Sequence, residues 1–228
     1  MRTSTKLKLG YVTLAATDTV LAGSRGRAAH RARSVTKPLL MPTLAASLAA
    51  DWRATGSLLR RTTLLAQAGG WGGDVLLLRH DDPRFFAAGA GSFGLGHAAY
   101  LTGFRRHRDR SRGLLEGRAA RAVMASWAVT APVVAAGAWR QERALGPAVA
   151  AYSGALSATV AAATSLDPAL PAGARRLTAA GALMFLASDT ILGLGKFVLK
   201  DPDPRLEQAV MATYTGAQLL FSEGAARS

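Results

Sequence analysis

The chain has 228 residues, half of them hydrophobic, and a formal net charge of +14. Its basic residues are scattered between apolar stretches instead of gathering on one domain face, which argues against a nucleic-acid-binding protein. The absence of cysteine excludes disulfides, thiol catalysis and cysteine metal sites.

Eight apolar stretches follow one another, most of them near the length that crosses about 30 Å of hydrocarbon as a helix. In chain order they lie near residues 9–24, 37–50, 62–79, 84–104, 119–139, 145–164, 176–199 and 206–221. Many of their residues are Ala or Gly, which let membrane helices approach closely. The sequence therefore predicts an all-α, polytopic transmembrane helical bundle that forms a single integral membrane domain over residues 1–228.

The first stretch resembles a signal peptide, but Asp18 interrupts its apolar core and basic sequence follows it. We therefore expect a retained first span. The segment "RRHRDRSRGLLEGRAAR" (105–121) carries more basic residues than the basic segment 25–37. By the positive-inside rule this predicts a cytoplasmic N-terminus in the cell membrane.

The second stretch opens with "TKPLLMPTL" (36–44). Pro38 suits the first turn of a helix, where its missing N–H would be unpaired anyway. Pro42 frees the carbonyl of Pro38 and favours a kink. Lys37 then lies at the mouth of the helix, as a cation for a phosphate headgroup, as a partner for a carboxylate, or simply as a snorkelling lysine.

Three aspartates interrupt apolar stretches: Asp18, Asp74 and Asp189. Each would cost about 2.5–3.5 kcal/mol at the centre of a bilayer, so each must face a polar cavity, find a partner or lie near an interface. We expect functional roles for Asp74 and Asp189. Asp18 is a further candidate, with a structural hydrogen bond as the alternative.

A weak internal repeat relates the two halves of the chain. "GGDVLLL" and "ASDTILG" surround Asp74 and Asp189, and each next stretch carries a trio of residues at matching spacing. These trios are Phe93, His97 and Tyr100, and Tyr214, Gln218 and Phe221. Spacings of four and three keep each trio on one helix face. Two four-helix parallel repeats would explain the pattern, and chance similarity between Ala-rich segments is the alternative.

Further polar residues lie within the apolar stretches. His97, Tyr100, Tyr214 and Gln218 either line a site or hold helices together by hydrogen bonds. HExxH, GxSxG and phosphate-binding glycine-loop motifs are absent from the sequence, so metalloprotease, serine hydrolase and NTPase functions have no support. We expect no metal and no cofactor. The glycines of "QAGGWGGD" (67–74) indicate close helix packing.

Five motifs in order, "TKPLLMPTL", "GGDVLLL", "FGLGHAAY", "FLASDTILG" and "YTGAQLL", resemble the YhhN-like lysoplasmalogenase family. The resemblance implies an integral membrane hydrolase that cleaves the vinyl ether bond of lysoplasmalogens, with choline or ethanolamine headgroups, to a fatty aldehyde and a glycerophospho-headgroup. The basic segment 25–37 and the Ala-rich fifth and sixth stretches are unusual features of this chain. The family's polar positions fall here on Lys37, Asp74, His97, Tyr100, Ser188, Asp189, Tyr214 and Gln218.

Vinyl ether hydrolysis needs a positioned acid and a carboxylate that stabilises a cation and activates water. Two carboxyls in different environments can divide these roles. Our hypothesis assigns them to Asp74 and Asp189 in unspecified order, with Lys37 at the phosphate of a lysophospholipid in the membrane.

The alternative is a transporter or lipid-binding protein that uses the same carboxylates, and a third possibility is a purely structural helical module. A cavity closed at one end favours an enzyme, and a path to both faces favours transport. The oligomeric state stays open.

Overall fold

The computed structural model describes residues 1–79, 82–111, 113 and 116–228. These residues form eight α-helices, which confirms the predicted all-α bundle. The helices are α1 Thr3–Ala22, α2 Arg27–Ala49, α3 Arg60–Leu76, α4 Pro83–Arg106, α5 Arg118–Gln141, α6 Leu145–Ala163, α7 Ala172–Phe197 and α8 Pro204–Ala226. Short 3₁₀ turns at Trp52–Ala54 and Leu77–Arg79 precede and follow α3.

The largest difference from the predicted boundaries is at α2, which begins at Arg27 and not near residue 37. The sequence "RAAHRARS" is rich in Ala and Arg, which are good helix formers, so the helix continues beyond its apolar part. Two expectations were therefore wrong. The basic segment 25–37 is mostly helix, and Pro38 lies inside α2, not in its first turn.

Pro42 also lies inside α2 and leaves the carbonyl of Pro38 without its helical partner, as the sequence indicated. The indole N–H of Trp71 on α3 donates a hydrogen bond to this carbonyl at 3.0 Å. The backbone group that the proline frees is thus satisfied by a neighbouring helix. The bond ties α2 to α3 close to the candidate residue Asp74.

Within the described residues, three helices are long and apolar enough to cross a membrane by length and composition: α5, α6 and α7. Large apolar side chains also point outward, including Leu95 on α4 and Val129 on α5, which are 74% and 70% exposed. Such side chains suit a lipid environment. Helix α3, with 17 residues, is shorter than these three, and α1, α2, α4 and α8 are less apolar. These features are those of a membrane protein, while the cell membrane and the cytoplasmic N-terminus stay predictions.

Consecutive helices pack in pairs, α1 with α2, α3 with α4, α5 with α6 and α7 with α8. Helix α8 also contacts α1, α2 and α3, and α4 contacts α6. The main buried core includes Tyr11, Leu40, Met41, Leu44, Tyr100, Phe104, Phe185 and Phe221. Close approach in the α3–α4 pair depends on glycine, because a Cβ on Gly69 would lie 2.7 Å from the backbone nitrogen of Gly96. This agrees with the packing role expected for "QAGGWGGD".

Because the chain alternates direction, α2, α4, α6 and α8 begin at the same end of the bundle. We call this the mouth end, marked by Ser24 between α1 and α2 and by Pro202 between α7 and α8. The opposite end is the base end. There Lys8 and Arg53 bind Glu223 of α8, and both also contact Asp51.

Candidate active site

A cavity of about 630 Å³ extends from the mouth end into the bundle. Its lining residues come from the mouth-end part of every helix from α2 to α8, and it reaches inward to Phe93, Leu156 and Tyr214 near the middle of their helices. Among the described residues that line it, none comes from the base end. The cavity is therefore one-sided.

Asp74 lies in the last turn of α3, is 1% exposed and lines the cavity. Its Oδ1 is 3.8 Å from the Lys37 ammonium of α2, and its Oδ2 accepts a hydrogen bond of 2.7 Å from the Tyr214 hydroxyl of α8. A neighbouring cation and a hydroxyl donor both stabilise a carboxylate. Lys37 thus acts as a carboxylate partner, one of the three roles that the sequence left open.

Asp189 of α7 is partly buried and lines the same cavity. Its Oδ2 accepts a hydrogen bond from the Tyr152 hydroxyl of α6, and that hydroxyl also lies 3.3 Å from Nε2 of His97 on α4. The His97 ring packs on Phe185 with centroids 4.7 Å apart. Three helices therefore meet at a carboxyl, phenol and imidazole in series.

The two carboxyls share one cavity but make no hydrogen bond to each other. Each has a tyrosine of its own, Tyr214 for Asp74 and Tyr152 for Asp189. In the described part of the chain, no Lys or Arg forms an ion pair with Asp189, whereas Asp74 has Lys37. The environments of the two carboxyls therefore differ in charge.

The remaining candidates divide into cavity residues and wall residues. Ser188 lines the cavity, and its hydroxyl donates a hydrogen bond of 3.1 Å to the Val210 carbonyl. Tyr100 donates a hydrogen bond of 2.8 Å to Oε1 of Gln218. Tyr100, Gln218 and His97 are buried but do not line the cavity. Tyr100 and Gln218 join α4 to α8 behind the cavity wall, and His97 contacts Tyr152 of α6 there, so a direct role of the three residues in binding substrate stays a prediction.

Asp18 is fully buried in α1 and also lies outside the cavity lining. The Thr36 hydroxyl donates a hydrogen bond of 2.6 Å to its Oδ1, and Arg33 Nε is 3.5 Å from its Oδ2. Arg33 also binds Glu207 of α8. These contacts correspond to the structural alternative that the sequence left open for Asp18.

Sequence reasoning missed Tyr152 and Arg33, which both line the cavity. Tyr152 stands in "AVAAYSGALS", where a phenol among small residues of an apolar span is a recognisable signal. Arg33 was counted as part of a basic loop, and its position inside α2 one turn before Lys37 was not anticipated. Residues four apart share a helix face, so both cations point to the cavity.

The two trios of the proposed repeat pack against each other. Phe93 meets Tyr214 edge to face with centroids 5.7 Å apart, and Tyr100 stacks on Phe221 at 4.3 Å. The first residue of one trio thus contacts the first residue of the other, and the third contacts the third. A two-fold axis between α4 and α8 would produce this pattern. The contacts agree with the parallel-repeat hypothesis, which stays a prediction.

Fold and site together define a helical membrane protein with two unlike carboxyls in a one-sided cavity. The chain belongs to the YhhN family, whose family model matches residues 32–225. The YhhN family is the lysoplasmalogenase family, so the resemblance drawn from the five motifs is confirmed. Comparisons with curated proteins and with solved structures each gave no match.

Proposed function

We propose that the protein hydrolyses the vinyl ether bond of lysoplasmalogens, releasing a fatty aldehyde and a glycerophospho-headgroup. Family membership supports a lysoplasmalogenase-like membrane function. The observation that carries the proposal is the pair of carboxyls at one cavity, one with a cation and one without. Acid and base roles separate when two titratable groups have such unlike environments.

Asp74 is the carboxylate of the pair, because Lys37 and Tyr214 occupy both of its oxygens and favour its charged form. Asp189 is the acid, since its surroundings supply a phenol but no cation. Tyr152 positions Asp189 by fixing one carboxyl oxygen and leaving the other free to carry the proton. His97 in turn orients Tyr152.

The reaction begins when Asp189 gives its proton to the alkene carbon distant from the ether oxygen. The alkene electron pair forms the new C–H bond and leaves an oxocarbenium ion. Asp74 stabilises this cation and takes a proton from the water that adds to it, which produces a hemiacetal. Collapse of the hemiacetal breaks the carbon–oxygen bond to glycerol, gives the aldehyde and leaves the headgroup as an alcohol. Proton return from Asp74 through water to Asp189 completes the cycle.

The cavity has an apolar side suited to the alkenyl chain. Helices α4 to α7 contribute Phe86, Phe93, Val134, Val149, Leu156 and Leu186 to its lining. Helix α2 and the start of α8 contribute Lys37, Arg33 and Glu207. A lysolipid would thus place its chain toward α5 and α6 and its glycerophosphate toward α2, with the vinyl ether between the carboxyls.

Transport is the alternative function for an intramembrane carboxylate pair. A transport path must reach both faces of the membrane, whereas the described lining residues of this cavity stop near the middle of the bundle. The one-sided cavity therefore supports the hydrolase over the transporter.

The test is aldehyde release by purified protein from a lysoplasmalogen and from its saturated ether analogue. Only the vinyl ether should react. Asp189→Asn and Asp74→Asn should each lower the rate at least about 100-fold, the lower range for loss of general acid–base catalysis. Asp201→Asn, at an exposed aspartate outside the cavity, is the matched control and should retain the rate. Full activity of Asp189→Asn would overturn the proposal.

A further inference from the structure

Residues 25–31, at the start of α2 and just before it, have no part in the mechanism above. It lines a second cavity of about 610 Å³ at the mouth end. Arg25, Arg27, His30 and Arg31 contribute to its walls, and Glu207 contributes from α8. We call this cavity the arginine vestibule.

The arginine vestibule adjoins the active-site cavity. Five residues line both spaces: Ser24, His30, Pro202, Pro204 and Glu207. Arg33 and Glu207, which bind each other, stand at the junction. A ligand whose chain lies in the active-site cavity can therefore extend its polar end into the arginine vestibule.

The cations of this region fall into two groups. Lys37 faces Asp74, and Arg33 faces Asp18 and Glu207, so the charges of both are already partnered. Arg25, Arg27 and Arg31 are exposed, and none of them forms an ion pair within the described residues. Three unpaired guanidinium groups around one cavity favour an anion, because guanidinium binds carboxylate and phosphate oxygens in bidentate fashion.

Distances along α2 indicate which part of a lysolipid reaches these arginines. Arg27 is ten residues before Lys37, or about 15 Å along the helix axis. In a lysophospholipid, about five bonds, roughly 6 Å, separate the ether oxygen from phosphorus. With the vinyl ether beside Asp74, the phosphate would lie near Arg33. The arginine vestibule would receive what is attached beyond the phosphate.

We infer that the arginine vestibule binds the distal part of the lysolipid headgroup and selects for an anionic one. Headgroups of net negative charge, such as phosphoserine and phosphoglycerol, are favoured. The cationic ends of phosphocholine and phosphoethanolamine meet like charge there and are disfavoured. This inference rests on the proposed function only in placing a lysolipid in the active-site cavity.

The test measures binding, so it does not depend on turnover. Saturated ether lysolipids of one chain length, with serine, glycerol, ethanolamine or choline headgroups, are titrated into detergent-solubilised protein. Isothermal titration calorimetry of the wild-type protein gives the dissociation constant of each lipid. We expect the serine and glycerol lipids to bind about five- to tenfold more tightly than the choline lipid at low salt, a preference that salt screens.

Arg27→Gln and Arg31→Gln should each reduce this selectivity several-fold while affinity for the choline lipid stays the same or rises. Arg121→Gln, an exposed arginine of α5 outside both cavities, should leave the selectivity unchanged. Equal affinity of the wild type for all four headgroups would overturn the inference, as would an equal loss for all headgroups in the variants. Displacement of the serine lipid by inorganic phosphate at equal concentration would also overturn it, since it would mark a free-phosphate site. If the wild type released no aldehyde, the proposed function would fail, and these binding ratios would still decide the inference.

Discussion

Tyr214 donates a 2.7 Å hydrogen bond to one oxygen of the Asp74 carboxylate while Lys37 lies 3.8 Å from the other. The three side chains come from α8, α3 and α2, so the contact joins three helices at mid-bundle. A cation and a hydroxyl donor at its two oxygens offset part of the desolvation cost that a buried carboxylate bears. The contacts that favour the charged form of Asp74 in the proposed reaction therefore also connect three helices of the fold.

Replacing Lys37 by Met should destabilise the protein strongly, because it leaves the Asp74 carboxylate buried without its cation. Breaking a buried pair costs about 3–5 kcal/mol. The double variant Lys37→Met with Asp74→Asn should recover most of this loss, since the amide oxygen still accepts the bond from Tyr214. Thermal unfolding of wild type, both single variants and the double variant in detergent gives the coupling energy. Additive effects would show that the two residues do not interact.

Tyr152→Phe should lower the rate constant of aldehyde formation about tenfold or more, a share of the roughly 10²–10⁴-fold that a positioned acid supplies. The ring and its packing remain, and only the hydroxyl between Asp189 and His97 is lost. Because that hydroxyl positions the acid, we expect kcat to fall with little change in KM and the pH–rate profile to shift.

Tyr100→Phe is the matched control for Tyr152→Phe. It removes the hydroxyl that binds Gln218 behind the cavity wall. A buried acceptor left unpaired costs about 1–3 kcal/mol, so stability should fall. Because this hydroxyl faces Gln218 and not the cavity, activity per folded molecule should be retained, a result that would exclude a direct role of Tyr100 in binding substrate. A pH–rate profile that moves in Tyr100→Phe and stays fixed in Tyr152→Phe would contradict the assigned roles.

Gly69→Ala should destabilise the α3–α4 pair. Its new methyl group would lie 2.7 Å from the Gly96 nitrogen and 2.8 Å from the Ser92 carbonyl oxygen, both of them backbone atoms that cannot rotate away. Overpacking of this kind costs about 1–3 kcal/mol. Gly91→Ala on α4 is the control, because a Cβ there meets nothing within 4 Å. We expect a lower unfolding temperature for the first variant and an equal or higher one for the second, given the better helix propensity of Ala.

A fall in pH should lower the stability of the protein through Asp51, which lies between α2 and α3 at the end of the bundle opposite the cavity. Hydrogen bonds from the Arg53 guanidinium and backbone N–H hold the pKa of Asp51 below its ordinary value. Asp51 therefore adds stability above the pKa of its unfolded form, about 3.9, and loses it as the pH falls through the lower folded value. Asp51→Asn should reduce the unfolding temperature at pH 7 and should reduce it less near pH 3, below the unfolded pKa of about 3.9. An equal reduction at both pH values would contradict this sign.

The sequence predicted the helices well because each apolar stretch is bounded by charge and turn residues. Its weakest boundary was the start of α2, where Ala and Arg extend the helix without any apolar signal. It also identified Asp74 and Asp189, because a carboxylate in an apolar stretch is conspicuous in one dimension. Tyr152 was missed although a phenol among the small residues of an apolar stretch stands out, because only its contact with Asp189 assigns it to the site.

The sequence by itself therefore determined the all-α class, the YhhN family and the aspartates within apolar stretches, because these depend on composition, periodicity and short motifs. Tertiary structure decided the partners of those residues. Lys37 lies beside Asp74 only because α2 packs on α3, and Asp189 meets Tyr152 only because α6 and α7 converge at the cavity. Partnership depends on distances between helices remote in the chain, which local sequence does not encode.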